Sequence, residues 1–316
     1  MKTEHLRQSF NLLGYDVNEI RVIQPNRTAN PSQLIHSYSD LLPICQKYDG
    51  QANIYIGINE HTKINATKRD IRAVNFVVVD VDSVRPDKNQ PANQQELDAT
   101  IEVSKVILDW FADNDFCRPI RAMSGNGCHI WARIPRLPLT SLETTEQWES
   151  KVKQLYQQIK SILPDGLKQK VWIDSIQDVT RIMKLIGTTS VKPNQAPPER
   201  ENRVSSWLDD PESLKDDVEL FDYLQSITPE VSIKSAPTLH LGSDELDAGE
   251  QKILNNAMSS YHVQKARMEM DLNDRSVADY ALAKELVRAG VGDPKILKHA
   301  LMTIPDTKYQ RDGDES

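Results

Sequence analysis

The sequence is poor in cysteine, in aromatic residues, in positive charge and in long apolar runs, and each shortage excludes a class of protein. Cys45, Cys117 and Cys128 are the three cysteines in 316 residues. Odd in number and far apart, they make neither a disulfide framework nor a CxxC zinc module, and a reducing compartment suits them. Aromatic residues are 6% of the chain, and Lys plus Arg number 38 against 46 Asp plus Glu, a net charge of -8. Such a chain repels a polyanion in bulk, so any nucleic-acid binding must come from local basic patches. No segment approaches the roughly 18 consecutive apolar residues of a membrane span. The first residues scatter Lys2, Glu4, Arg7, Asp16 and Glu19 among short apolar groups, unlike a signal peptide. A cytoplasmic protein with no membrane partner is the expectation.

What is present is an α/β chain. At 39% apolar, it has enough to bury one large core or two ordinary ones. Residues 52 to 58 are apolar at alternate positions, the mark of a strand with one face buried. Residues 74 to 82 are β-branched and nearly continuous, as in a strand covered on both faces. Leu97, Ile101, Leu108 and Trp110-Phe111 recur at near-helical spacing, and Trp148, Val152, Leu155, Ile159 and Ile162 lie on one helical stripe. Between these helices, Cys128 to Ile134 reads as a strand opened by the turn Ser124-Gly125-Asn126-Gly127 and closed by Pro135. Val171 to Asp174 and Ile182 to Ile186 are further short strands. Mixed sheets flanked by helices are expected, an α/β (α+β) domain over residues 1 to 235. Its last part, from 192 to 237, holds six prolines and reads as an irregular crossing, with a linker near 230 to 248. Helical spacing then dominates in 249 to 268, in 276 to 290 with Ser276 and Asp279 as a capping box, and in 294 to 303. That is a small all-α domain over 249 to 316, whose polar end from Lys308 is expected to be flexible or to continue into a longer chain.

Three groups of residues can carry chemistry. Asp80 and Asp82 end the apolar strand, and residues two apart share a face roughly 6 to 7 Å from each other. Two carboxylates at one spot need a neutralising cation, for which divalent metal ions with oxygen ligands are suited. Taken alone, an Asp pair at a strand end more often caps the following loop. In Ser124-Gly125-Asn126-Gly127-Cys128-His129, two glycines let backbone N–H groups approach an anion ahead of an imidazole; a β-turn with a structural histidine fits that motif equally well. Arg118, Arg121, Arg133 and Arg136 surround it with no acid between residues 116 and 136, a local charge of +4. Third, Asp174 follows an apolar strand and precedes Arg181 and Lys184. An acid and two cations so placed complete a metal site and grip phosphates, or form a surface salt-bridge network.

Strand-DxD, then SGxGxH, then D followed by RxxK and Gly-Thr is a more specific order than any of its parts. It resembles the archaeo-eukaryotic primase (AEP) superfamily, in particular the primase-polymerase branch of plasmid, phage and other mobile-element replication proteins. The likeness runs from about Asn53, in Asn-Ile-Tyr-Ile-Gly-Ile-Asn, to about Pro193, near half the chain. It implies an AEP/RRM-like catalytic domain in which Asp80, Asp82 and Asp174 bind two Mg²⁺ or Mn²⁺ ions. It also implies that Ser124, Gly125, Gly127, His129, Arg181 and Lys184 hold the incoming NTP or dNTP. The implied partner is a single-stranded DNA template, for which Arg118, Arg121, Arg133, Arg200 and Arg203 are the basic candidates.

Residues 274 to 283 resemble the helix that often follows this catalytic domain and that, in relatives, helps bind template and initiating nucleotide. No GxxxxGK[ST] occurs, so a helicase would be fused downstream or act in trans. Trp110, Trp148 and Trp172 sit on apolar stripes and are read as core. Trp207, near Arg200 and Arg203, is a semi-exposed tryptophan with several possible uses, stacking on a template base among them. A catalytically silent module that binds nucleic acid or nucleotide and a metal-dependent nuclease or phosphodiesterase are the rival functions.

Overall fold

The computed structural model describes residues 1–25, 32–174, 176–229, 246–260, 262–264 and 275–303. The chain divides into two units, Met1–Ser232 and Ile233–Ser316. The first contains α1 (Thr3–Leu13), β1 (Asn18–Ile23), β2 (Gln33–Ile35), α2 (Tyr38–Tyr48), β3 (Asn53–Gly57), β4 (Ala73–Ser83), α3 (Gln94–Asp113), β5 (Ile120–Met123) and β6 (Gly127–Pro138). It continues through α4 (Leu142–Ile162), α5 (Asp165–Lys168), β7 (Val171–Asp174), β8 (Ile182–Lys184), β9 (Thr189–Ser190), β10 (Arg203–Val204), β11 (Ser206–Trp207) and α6 (Val218–Ser226). The second contains α7 (Ala248–Met258), α8 (Arg275–Arg288) and α9 (Pro294–Thr303).

The strands of the first unit form a five-stranded sheet in the order β11-β5-β6-β4-β7, a four-stranded sheet in the order β2-β1-β3-β8, and the pair β10-β9. Neighbours in all three pair antiparallel. β4 lies between β6 and β7, and its valines are buried on both faces, as the unbroken apolar run requires. Helix α3 packs against β4, β6 and β7, with Ser104 beside Cys128. It therefore covers the face of Cys128, Val79 and Val81, leaving Asp80, Asp82 and His129 on the other.

Helix starts are fixed by side chains. Asn93 accepts from the Glu96 N–H while Glu96 accepts from the Asn93 N–H, and Ser141 opens α4 by accepting from Thr144 N–H. β7 pairs with Asp80 to Ser83 and Glu60 bridges Ala73, so between them one edge of β4 has no strand partner among the described residues. There the α4 Tyr156 hydroxyl donates to the Val78 carbonyl at 2.9 Å, satisfying a buried acceptor.

Three elements differ from the sequence expectation. β6 continues past Pro135 to Pro138, because the β4–β6 register shifts between Val74 and Phe76 and Pro135 falls within that irregularity, where no ladder N–H is needed. The Pro-rich stretch is not irregular throughout: it supplies β10, β11 and α6. These are two-residue strands without readable alternation and a nine-residue helix capped by Asp217, which accepts from Leu220 N–H at 3.0 Å. Finally, α7 ends at Met258; residues 262–264 are helical again, and 261 and 265–268, the rest of the helical stretch expected to 268, lie outside the described residues.

In the second unit Leu254, Ala257, Leu282, Leu286, Ile296 and Ala300 make a core of their own. The region 230–245, most of the expected linker, and the polar end from Lys308 lie outside the described residues, as do the side chains of Ser276 and Asp279. Among the described residues no helix is long and apolar enough to cross a membrane.

Tyr156→Phe keeps the ring and leaves the Val78 carbonyl unpaired in the core. Urea denaturation should show a loss of about 1–3 kcal/mol; a change below about 0.5 kcal/mol would mean that the bond does not hold α4 to the sheet edge.

Candidate active site

Antiparallel register decides which side chains meet. Asp174 on β7 stands opposite Asp80 on β4, and Asp80 opposite His129 on β6, so the three project from one face in a single row. Asp82 follows two residues along β4, opposite Gly127 and Trp172. The row borders a cleft of about 320 Å³ whose other lining residues include Tyr55, Arg181, Lys184 and Lys192. Acids come from the five-stranded sheet, while Tyr55 and Lys184 are paired neighbours on β3 and β8 of the four-stranded one.

The glycine turn between β5 and β6 is built for close approach. Gly125 has φ +109°, and a Cβ there would stand 2.3 Å from that of Ser190; at Gly127 it would stand 2.2 Å from the Val81 carbonyl oxygen. Asn126 fastens the turn: its amide donates to Ser190 Oγ at 2.9 Å and accepts from Ala92 N–H at 2.8 Å, while its carbonyl accepts from Ser83 Oγ. Two N–H groups expected to face an anion are turned inward, Ser124 N–H to the Gly127 carbonyl and Gly125 N–H to Met123 Sδ. Both donors are thus spent inside the hairpin. Ser124 still lines the cleft, as does Asn126.

Charge is concentrated here. Burial pushes the Asp80 carboxyl up to about 7, Asp174 adds to the rise and Arg181 opposes it. Burial and then Asp80 push Asp82 up to about 6. Burial holds His129 down at about 4 against the pull of Asp82, so its imidazole is neutral at pH 7. Its Nε2 is 3.5 Å from Asp80 Oδ1, yet both Asp80 Oδ1 and His129 Nδ1 are buried without a hydrogen-bond partner. Arg181 pairs with Asp174. Lys184 is buried, donates to the Thr189 carbonyl at 2.7 Å, and is lowered by that burial to about 7.

Crowded carboxylates with an orphaned oxygen are suited to a hard divalent cation, so the residues present fit Mg²⁺ or Mn²⁺. A second group, Cys117, Asp217 and Glu219, has one donor atom from each residue within 4.8 Å of the others. None of its members lines the cleft.

The structure thus brings together Asp80, Asp82, Asp174, His129, Ser124, Arg181 and Lys184, with Gly125 and Gly127 in the turn beside them. The arginines are arranged otherwise. Arg121 forms a two-pronged pair with Asp209 at 2.8 and 3.0 Å, with Arg118 3.8 Å from the same carboxylate. Arg133 donates to Asp216 and Arg136 to Glu60. The +4 patch of the sequence is offset in large part by three acids brought from distant segments, with Arg118 still 70% exposed. Likewise Arg200 donates to both oxygens of Glu96, and Arg203 to the Ala92 carbonyl.

Two tryptophans also differ from expectation. Trp207 is buried, its indole N–H donating to Ser9 Oγ and its ring edge-on to Trp131, so it offers no face to a base. Trp172, read as core, is 64% exposed. Sequence reasoning missed Asn53, Tyr55, Ser190 and Lys192 as cleft residues. For the first two the signal was present: the alternation that buries Ile54 and Ile56 turns Asn53 and Tyr55 the opposite way. The Asn53 amide donates to the Val191 carbonyl and accepts from its N–H, each at 2.9 Å, which holds the strand bearing Ser190 at the cleft.

No protein-family model matches the chain, and no curated protein matches it either. Solved structures of similar fold include the AEP domain of the cyanophage S-2L primase-polymerase, 14% identical over 72% of this chain and 97% of that one, TM-score 0.43. They also include primase RepB′, 12% identical over 96% of this chain and 87% of that one, TM-score 0.42. A third is the polymerase domain of Mycobacterium tuberculosis ligase D in complex with DNA, 15% identical over 71% and 86%, TM-score 0.38.

Because Asp80 is raised in the folded state, ionising it costs stability, and that cost grows as pH rises from about 4 to about 7. In chelator, Asp80→Asn should therefore be more stable than the parent chain by about 1–3 kcal/mol at pH 8, with the advantage shrinking toward pH 4. Thermal denaturation across pH measures it. An advantage that does not change with pH would remove the buried-carboxylate description.

Proposed function

We propose that the first unit is the catalytic domain of a metal-dependent nucleotidyltransferase, a primase-polymerase that joins NTPs or dNTPs to a 3′-hydroxyl on a single-stranded DNA template. The observation that carries this is the cleft itself: a row of acids on one sheet, bordered by Arg181, Lys184 and Lys192. One wall suits cations and the other suits phosphates. Asp80, Asp82 and Asp174 would hold two Mg²⁺ or Mn²⁺ ions, whose chemistry is to neutralise the reacting phosphate and lower the pKa of the attacking hydroxyl.

The chain's own residues orient the nucleotide. Lys192 and Arg181 supply positive charge to the triphosphate, with Arg181 sharing its guanidinium with Asp174 in the resting site. Lys184 titrates near neutrality, so an arriving polyanion draws it to the charged form. His129, neutral at pH 7, offers one ring N–H to a phosphate oxygen without adding a charge beside the acids. Asn126 keeps the turn against Ser190 and leaves Ser124 at the cleft wall. With water in place of the 3′-hydroxyl as nucleophile, the same acids would serve a nuclease or phosphodiesterase that cleaves a phosphodiester, and pyrophosphate released from a nucleoside triphosphate is the product that separates synthesis from strand cleavage. The helical unit would contribute to template and initiating-nucleotide binding.

Labelled nucleotide incorporation on primed circular single-stranded DNA with Mn²⁺ tests this, with pyrophosphate assayed alongside. The parent chain should incorporate nucleotide and release pyrophosphate, and Asp80→Ala with Asp82→Ala should abolish both while circular dichroism stays unchanged. Incorporation retained in the double variant would refute the site. Strand cleavage without pyrophosphate would favour the hydrolase.

A further inference from the structure

Trp172 is the feature that packing leaves unexplained. Trp131, Trp148 and Trp207 are at most 7% exposed, whereas Trp172 is 64% exposed on an edge strand. A large apolar ring left in water at one end of a built site suggests a ligand with a flat face. Its position follows from the ladder: Val171 and Ile173 are buried, so Trp172 and Asp174 take the opposite face, and Trp172 stands directly across from Asp82. The Val84 N–H donates to the Lys170 carbonyl, which extends the same register by one residue. Lys170, Trp172 and Asp174 therefore share one face, a cation, an aromatic ring and an acid in succession toward the cleft.

The surroundings decide what ligand fits. Lys160 Nζ lies 5.6 Å from the indole centroid, and Lys168, which pairs with the exposed Asp165 at 3.2 Å, and Lys170 are exposed immediately before β7. In a chain of net charge -8 whose Arg121, Arg133 and Arg200 pair with Asp209, Asp216 and Glu96, this lysine-bordered ring is a place where a polyanion with planar bases can settle. An acidic or purely apolar protein surface would use either the lysines or the ring; a nucleic-acid strand uses both.

We infer that Trp172 is a stacking platform for a nucleobase of the DNA strand that enters the acid cleft, with Lys160, Lys168 and Lys170 along its phosphate path. This rests on the primase-polymerase reading and adds the route by which the strand reaches the site. Stacking on the ring places a base beside Asp82, with the lysines next to its phosphates.

Trp131, Trp148 and Trp207 are buried and Trp110 is partly buried against Phe111 and Phe116, so comparison with Trp172→Phe isolates Trp172 as an optical reporter. Full-length protein is titrated with oligo(dT) of about 15 nucleotides, following tryptophan fluorescence, and in parallel by anisotropy of labelled DNA. The parent chain should bind with quenching. Trp172→Phe should bind within about threefold but lose most of the quench, and Trp172→Ala should bind about 5- to 100-fold more weakly at an unchanged melting temperature. Lys170→Gln should lower the slope of log affinity against log salt by about one, and Trp172→Ala should leave that slope alone. Parent-like affinity in Trp172→Ala, or quenching that persists in Trp172→Phe, overturns the platform while leaving synthesis by the parent chain intact. Failure of the parent chain to bind DNA and to incorporate nucleotide overturns the primase-polymerase reading, and the platform with it.

Discussion

The antiparallel register of β7, β4 and β6 is the constraint on which the rest of the first unit depends. It aligns Asp174, Asp80 and His129 across three adjacent strands and puts Asp82 one pleat further on. Like charges in so small a space oppose folding unless they are protonated or met by cations. The structure answers in two ways: Asp80 and Asp82 titrate far above ordinary carboxylates, and Arg181 pairs with Asp174. The apolar side of the same strands, pressed onto α3, fixes the register, since a slip by one residue would send the acids into the core and the valines into the cleft.

The second sheet gives the cleft its opposite character. β3 and β8 bring Tyr55 and Lys184 to it, and the segment after β9 brings Lys192, tied in place through Asn53 and Val191. The glycine turn serves this arrangement less as an anion cradle than as a spacer. Gly125 lets Ser190 come close, and Asn126 spends its amide on Ser190 and Ala92, so that three segments distant in sequence meet behind Ser124. The helical unit has its own core around Leu254, Leu282 and Leu286 and stands as a separate structural element.

Much of this was legible in the residues. β4, α3, β6 and α4 each carry a period long and regular enough to announce itself, and the acids stand out because carboxylates at the end of a valine run need a reason. What was not legible depends on partners distant in sequence. The arginines from 118 to 136 look like a basic patch until Asp209, Asp216 and Glu60 arrive from elsewhere. β10, β11 and α6 are too short to show a pattern among prolines. Trp172 is intermediate: VWID says that alternate residues share a face, yet only the pairing with β4 and the packing of α3 say which face is buried. The motif already places Asp174 at the site, and parity then puts Trp172 on the same face, which is incompatible with reading Trp172 as core.

Everything proposed for the cleft turns on whether the acid row holds divalent cations, and the structure offers a rival donor set in Cys117, Asp217 and Glu219. Electron paramagnetic resonance of Mn²⁺ titrated into the full chain, with and without a non-hydrolysable nucleoside triphosphate, distinguishes them. Binding that strengthens with nucleotide, disappears in Asp80→Asn with Asp82→Asn and survives Asp217→Asn is the predicted result. Mn²⁺ that remains bound in the double Asn variant and is lost with Asp217→Asn would contradict it.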